Sequence, residues 1–357
     1  CGANYLIQRQ TCQREICIAE RIRNESDCNS LKFIINVSPT FAMATSVSAS
    51  PIDQWIQKYL SEEEPRSKSL IVSVFGDSIA PHGGGIWLSD LIRLLQPLGV
   101  NERLVRTSAF RLIEEEWLEA RREGRRSFYS LTDSGLSRIE DAYGRIYTPQ
   151  EPHWDQNWTM VILPRNGDGA LERLELRREL EWEGFAMATT GVFLHPSANS
   201  KALRRILSQL DLLDRAVVLR AQSIDGYSTE AMPSMISRCW NLEEVGTRYE
   251  RFVDLFGPLP DLLTSQKLTP EMAFVVQTLL IHSYRRATLH DPRLPVPMLP
   301  PEWPGLKAYD ICKSIYSLTV AGALSHINLV AIKDRSAGAQ RRVLMPLEKR
   351  FDGILVN

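Results

Sequence analysis

Three scarcities limit what this sequence can be. Cysteine is nearly missing: of six in 357 residues, Cys1, Cys12, Cys17 and Cys28 crowd the start, leaving Cys239 and Cys312 for the remainder. The first four contain no Cys-x-x-Cys pair and no intervening histidine, which is poor spacing for a zinc site. The sparse remainder fits a reducing compartment. Long apolar runs are missing too, since stretches such as 272–281 are broken by Gln277 and fall short of the ~20 residues that span a bilayer. Charge of one sign is missing as well. With 42 basic against 43 acidic residues the formal net charge is −1, so any attraction to nucleic acid must come from local clustering.

Enzymatic machinery is equally thin. Gly76-Asp77-Ser78 follows an apolar run, as in Gly-Asp-Ser hydrolases with a serine nucleophile. Such an enzyme needs an Asp-x-x-His pair and a Gly-x-Asn-Asp block, and the chain has neither, so an esterase using Ser78 stands only as the disfavoured alternative. Gly83-Gly84-Gly85 lacks the Lys-Ser/Thr of a phosphate loop, and His282 and His290 make poor metal ligands. A nuclease-like central unit would need a carboxylate cluster on its first strand, which 158–163 does not supply. No enzyme, cofactor or metal is expected.

What is present fits a multidomain α+β protein of two or three domains, with ordinary hydrophobic (44%) and charged (24%) contents. Residues 1–42 read as an upstream extension, with the functional chain expected from Met43, and 1–65 as a poorly ordered leader and N-terminal arm. In 66–148 an apolar segment (69–75) precedes a glycine loop, a short strand (86–88) and a helix (89–95) with Ser89 as N-cap. Asn101 is expected to cap a second helix, 102–116. Leu104, Val105, Ala109, Leu112 and Ile113 form its buried stripe, and Arg103, Arg106, Thr107 and Arg111 its opposite face. A hairpin then turns at Gly124 among Arg121, Arg122, Arg125 and Arg126, and a helix runs on to about Tyr147.

That order is the winged-helix order. Arginine grips guanine edges bidentately in a major groove, and a basic wing reaches flanking phosphates. A solvated face paired with Glu114, Glu115, Glu116 and Glu119 is the bland reading of either half. Both halves together favour double-stranded DNA as partner.

After a linker (149–157), alternating strand and helix patterns over 152–226 suggest a ferredoxin-like α+β unit. Residues 228–330 read as helical, with Thr269 capping and Pro270 opening a long apolar helix, a proline-rich connector after Asp291, and a last helix over 307–323. The tail, 331–357, is weakly patterned. The run His282-Ser283-Tyr284-Arg285-Arg286 offers cations for an anionic ligand, or alternatively bonds to carbonyls at a helix end.

Several ordered blocks between Pro65 and His326 resemble the PaaX family of bacterial repressors, which control phenylacetate degradation operons. They are Val74-Phe75-Gly76-Asp77-Ser78 with Pro81-His82-Gly83-Gly84, Glu102-Arg103-Leu104-Val105-Arg106-Thr107, Gly124-Arg125-Arg126-Ser127-Phe128-Tyr129-Ser130-Leu131, Trp182-Glu183-Gly184-Phe185, Ile281-His282-Ser283-Tyr284-Arg285-Arg286 and Asp291-Pro292-Arg293-Leu294-Pro295. The resemblance implies a Cas2-like central domain, a helical C-terminal domain, a cytoplasmic homodimer on a partly palindromic operator, and release by an aryl-CoA such as phenylacetyl-CoA. Tyr284, Arg285, Arg286 and Trp303 are candidates to hold that effector, with Arg177, Arg178 and Trp182 as rivals.

Overall fold

The Ser50 hydroxyl accepts the Asp53 amide at 3.1 Å while the Asp53 carboxylate accepts the Ser50 amide at 3.2 Å. This reciprocal cap, with Pro51 in the first turn, starts helix α1 (Pro51–Glu62). The computed structural model describes residues 50–163, 170–224, 231–331 and 346–353. The expected 1–42 leader and its four cysteines lie outside them. The expected arm through residue 65 is corrected, because Ile52, Trp55, Ile56 and Tyr59 form a stripe that polar neighbours hid in the sequence. Trp55 donates to the Leu255 carbonyl at 3.1 Å and Tyr59 to Ser283 at 3.1 Å, docking α1 on the C-terminal helices.

Helix α2 (Ser67–Val74) does not stop at Gly76. It widens into a π-turn (Phe75–Ile79) and a 3₁₀ turn (Ala80–His82) before Gly83 ends it at φ 103°. Strand β1 (Gly85–Trp87) leads straight into α3 (Leu88–Leu95). Ser89 is therefore inside the helix rather than capping it, and its hydroxyl bonds Asp90 at 3.1 Å. Then come α4 (Glu102–Glu114), the hairpin β2 (Leu118–Glu123) and β3 (Arg126–Leu131), and α5 (Asp133–Ile146), with strand order β1-β3-β2.

The middle of the chain runs β4 (Trp158–Ile162), α6 (Ala170–Trp182), β5 (Ala186–Thr189), β6 (Val192–His195), α7 (Ser200–Gln209), β7 (Val217–Ala221). The sheet order β5-β6-β4-β7, all antiparallel, is that of the expected ferredoxin-like alternation. Side-chain alternation gives this sheet two different faces. Val161 and Phe193 join Leu176, Leu180, Leu203 and Ile206 in a core of its own. Trp158 and Leu194 point the other way, into the main core.

Helices then follow: α8 (Ala231–Cys239), α9 (Leu242–Phe256), α10 (Leu259–Ser265), α11 (Pro270–Thr288) and α12 (Pro304–Ala331). Helix α12 is longer at both ends than the sequence pattern gave. It is long and apolar enough by length and composition to cross a membrane, yet Cys312, Ile315, Tyr316 and Val320 are buried along it where it packs on α9, α10 and α11. The main apolar core is continuous from Ile52 of α1 through α2–α5 to these helices and Phe351.

The chain after 345 returns to the centre. Arg350, wholly buried, donates to Asp77 Oδ1 at 2.8 Å and to Tyr316 at 2.5 Å, and its guanidinium lies 4.4 Å from the Tyr147 ring centroid. Asp77 also accepts from Tyr147 at 2.7 Å, Tyr316 at 3.0 Å and Gln277 at 2.8 Å. The carboxylate of the π-turn thus has a charge partner and three further donors, which is the condition for keeping a buried ion pair.

Candidate nucleic-acid interface and an arginine-lined cleft

Helix α4 is set by Asn101, whose side chain accepts the Leu104 amide at 3.0 Å. Its buried side is Val105, Ser108, Ala109 and Leu112. The expected stripe is corrected at one position: Leu104 is 44% exposed and Ser108 takes the inward place, where it bonds Ser67 of α2 at 2.7 Å. Arg103, Arg106, Thr107 and Arg111 are all exposed, as is Phe110 at 59%. Not every polar group on this face is idle. Arg106 pairs with Glu102 at 2.6 Å, and the Thr107 hydroxyl bonds the Arg103 carbonyl at 2.9 Å. An exposed i,i+4 pair holds by only about 0.3–0.5 kcal/mol, so a phosphate or guanine competes easily for Arg106.

The hairpin packs beside α4, with Glu123 opposite Arg126 and a two-residue turn between them. Gly124 takes φ 60° at the first turn position, where an L side chain would be strained. Arg121, Arg122, Arg125 and Arg126 are exposed around it. Arg126 lies 4.0 Å from the Trp87 ring centroid, Arg121 pairs with Glu123 at 2.6 Å, and Arg122 reaches the Gly124 carbonyl at 3.3 Å. Arg125 is the second residue of the turn and is exposed.

The residues named for an anionic ligand separate into two groups. Tyr284 packs against Phe252 with centroids 5.2 Å apart, and Trp303 against Tyr249 at 5.9 Å. Both are buried, so in this conformation no ligand reaches them. Arg286 is exposed and stands apart from Arg285, which turns inward and donates to the Ser69 hydroxyl at 2.7 Å. Burial, then the neighbouring Arg286, pushes the Arg285 guanidinium down to about 10.

Arg285 instead joins Arg177, Arg178 and Trp182 in the lining of a cleft of about 1460 Å³. Its walls come from α5, α6, the ends of α8 and α9, and residues 289–292. Eight arginines line it (Arg138, Arg145, Arg177, Arg178, Arg205, Arg238, Arg248 and Arg285) against seven carboxylates, so much of the charge is internally matched. Arg205 reaches Glu183 and Asp141 at 3.7 Å, Arg177 pairs with Glu181 at 2.5 Å and Arg248 with Glu244 at 2.6 Å. No ion pair to Arg178 or Arg238 occurs among the described residues.

Two quoted sequence blocks meet at the wall of this cleft. Gly184 sits at φ 91°, and a Cβ there would lie 2.6 Å from the Pro292 carbonyl oxygen. Its own carbonyl accepts Trp240 Nε1 at 2.8 Å. Arg145 ties the blocks together, donating to the Asp291 and Trp182 carbonyls at 3.0 and 2.6 Å. Arg293 reaches the Gly144, Arg145 and Pro149 carbonyls at 2.7, 3.0 and 2.6 Å, closing the C-terminal end of α5 with a cation.

The disfavoured serine site has no catalytic geometry. Ser78 is buried, its hydroxyl is 3.5 Å from Asp77, and the nearby His82 ring bonds the Ser78 carbonyl rather than its hydroxyl. Asp77 is engaged with Arg350. Among the described residues no three His, Cys, Asp or Glu side chains gather as metal ligands.

Comparison with known proteins places three family models along the chain. These are PaaX-like protein over residues 66–135, PaaX protein central Cas2-like domain over 151–233, and PaaX-like protein C-terminal domain over 240–329. Transcriptional repressor PaaX of Escherichia coli (strain K12) is 37% identical over 281 residues, covering 78% of this chain and 88% of that protein. Among solved structures, uncharacterized protein Rv0674 from Mycobacterium tuberculosis aligns over 72% of this chain and 98% of its own, with 23% identity and a TM-score of 0.46.

Proposed function

The chain belongs to the PaaX family, and from that premise we propose that it is a DNA-binding transcriptional repressor of phenylacetate catabolic genes rather than an enzyme. The observation that carries this is α4, which buries Val105, Ala109 and Leu112 and turns Arg103, Arg106, Thr107 and Arg111 to solvent. With the basic hairpin beside it, the segment 66–148 is a winged helix whose α4 enters a major groove and whose Gly124 turn meets flanking backbone. In this reading 152–226 is a Cas2-like central domain and 228–330 a helical C-terminal domain, in a cytoplasmic protein.

The repressor acts as a homodimer. Supporting this is β7, the outer strand of its sheet among the described residues, where Val217, Val218 and Leu219 are each 44–45% exposed. An apolar edge of this kind invites another strand, and a two-fold copy of itself gives a closed interface. The two α4 helices are then spaced for successive major grooves, roughly 34–36 Å apart.

The effector is an aryl-CoA, of which phenylacetyl-CoA is the first to test, and the cleft is its site. Arg178 and Arg238 supply cations for phosphates, and Trp182, 49% exposed, an aromatic surface for the acyl group. Release follows if the ligand prefers an arrangement of the cleft walls that the operator-bound dimer does not adopt.

The test is fluorescence anisotropy at fixed salt with DNA from upstream of the chain's own coding region, with and without phenylacetyl-CoA. Saturable binding above a random duplex, relieved by the thioester, is expected. Equal affinity for both duplexes overturns the repressor reading.

A further inference from the structure

We infer that Phe110 reads a thymine through its 5-methyl group, which makes it a specificity-determining residue of the α4 surface; this rests on the operator-binding reading above. Phe110 is 59% exposed, the most exposed phenylalanine on a described element, and lies on α4 between arginines. Seven residues, about two turns, separate it from Arg103, so the two share one side of the helix with Thr107 between them. The buried residues Val105, Ser108, Ala109 and Leu112 occupy the opposite side. The ring is therefore near the middle of the outward arc, whereas Leu104, 44% exposed, sits at its edge.

A phenylalanine held in water at that place is a standing cost, since burial of so large an apolar side chain is favourable. The flanking guanidinium groups of Arg103, Arg106 and Arg111 repel a cationic partner and favour a polyanion. In a major groove the one apolar group presented by any base pair is the thymine methyl. A ring amid arginines therefore matches a duplex in which an A·T pair lies beside the arginine-gripped guanines. Neither the phosphates nor a G·C edge would repay its exposure.

The experiment removes that methyl and nothing else. Duplexes enriched by the full-length chain from a random-sequence pool are remade with each thymine replaced in turn by deoxyuridine. Wild-type affinity is expected to fall about 3- to 10-fold at one position per half-site. Phe110→Ala should bind the thymine duplex with the same deficit and show no further loss on deoxyuridine there, while Phe110→Leu keeps part of the discrimination. The exposed site leaves thermal melting of both variants unchanged. A wild-type protein indifferent to every thymine-to-deoxyuridine exchange overturns the inference, as does a Phe110→Ala protein that keeps the full penalty. A Phe110→Ala protein that turns monomeric in sedimentation while no exchange matters makes the ring a self-association contact, which also overturns it. Failure to enrich any duplex refutes the operator reading itself, a separately recognisable outcome.

Discussion

Arg350 and Asp77, 273 positions apart in the chain, meet at 2.8 Å with both side chains buried. One belongs to the segment after residue 345, the other to the π-turn that prolongs α2. Tyr147 and Tyr316 donate to the same carboxylate, so α5 and α12 share in the contact. Removing one member leaves the other charged and buried, which costs about 3–5 kcal/mol. Arg350→Met should lower the denaturation midpoint accordingly. Asp77→Asn with Arg350→Met should cost less than the sum of the singles, because each single variant already loses the shared interaction. Additive losses in urea titrations would mean that the pair is not coupled.

Arg103→Ala and Arg106→Ala should each weaken operator binding about 10- to 100-fold and relax sequence preference, as expected for lost bidentate base contacts. Glu102→Gln should raise affinity about twofold, since it frees Arg106 and removes a carboxylate from the face. Anisotropy at constant salt measures both. Arg125→Ala with Arg126→Ala should instead lower affinity on all duplexes alike and reduce the salt slope by about 1–2.

Leu219→Glu together with Val218→Lys, on the outward edge of β7, should turn a dimer into a monomer with little loss of melting temperature, because both positions are half exposed. Sedimentation velocity gives the mass, and operator affinity should fall in parallel. A dimer that survives both charges has its two-fold contact elsewhere.

Arg178→Ala and Arg238→Ala should leave operator affinity within twofold and raise the phenylacetyl-CoA concentration needed for release about tenfold or more. Titration of preformed complexes reads this directly. Loss of operator binding itself in these variants would assign the cleft to DNA.

His282 touches the Ser73 hydroxyl at 3.1 Å and is held neutral: burial, then Arg285 and Arg286, pushes its ring down to about 3, against 6.5 when free. His195, buried under Phe185 and against Pro292, is pushed down to about 4. Below 6.5 the unfolded chain takes up protons that the folded chain refuses, so stability drains as pH falls from 6.5 towards 3–4 and is fully present above that window. Thermal midpoints should therefore fall through the weakly acid range. His282→Asn, which keeps a hydrogen-bonding group near Ser73, should flatten that fall. An unchanged slope would place the acid sensitivity elsewhere.

Periodicity exposed most of this architecture because the elements are amphipathic and well punctuated. Asn101 and Thr269 cap where expected, Pro270 starts its helix, and Gly124 turns the hairpin. What stayed hidden depends on distant partners. At Gly76 the backbone continues as a π-turn, where Tyr143 and Arg350 bond the Gly76 and Asp77 carbonyls from distant parts of the chain. Arg350 gave no signal, being one of six basic residues in an unpatterned tail. Leu104 turned outward and Ser108 inward, where a polar residue not assigned to the apolar stripe finds a partner in Ser67. Members of the quoted blocks proved architectural: Asp77 holds the Arg350 guanidinium, the Gly184 carbonyl holds the Trp240 ring, and Arg293 holds backbone carbonyls. Tyr284 and Trp303 looked like ligand residues because composition alone cannot distinguish an aromatic that lines a pocket from one that fills a core.

Helix α1 lies ahead of the segment that carries α4 and the hairpin, and its Trp55 and Tyr59 are fastened to the C-terminal helices. Arg350 clamps the far side of the same segment. The segment proposed to read DNA is therefore tied to the rest of the chain at two points. In the proposed dimer, a thioester bound beside α5 would then act as on a pair of callipers: each jaw would keep its shape and the gap between jaws would change. An isolated half-operator should consequently bind equally well with or without the thioester, while the paired site, whose spacing must match the gap, is let go.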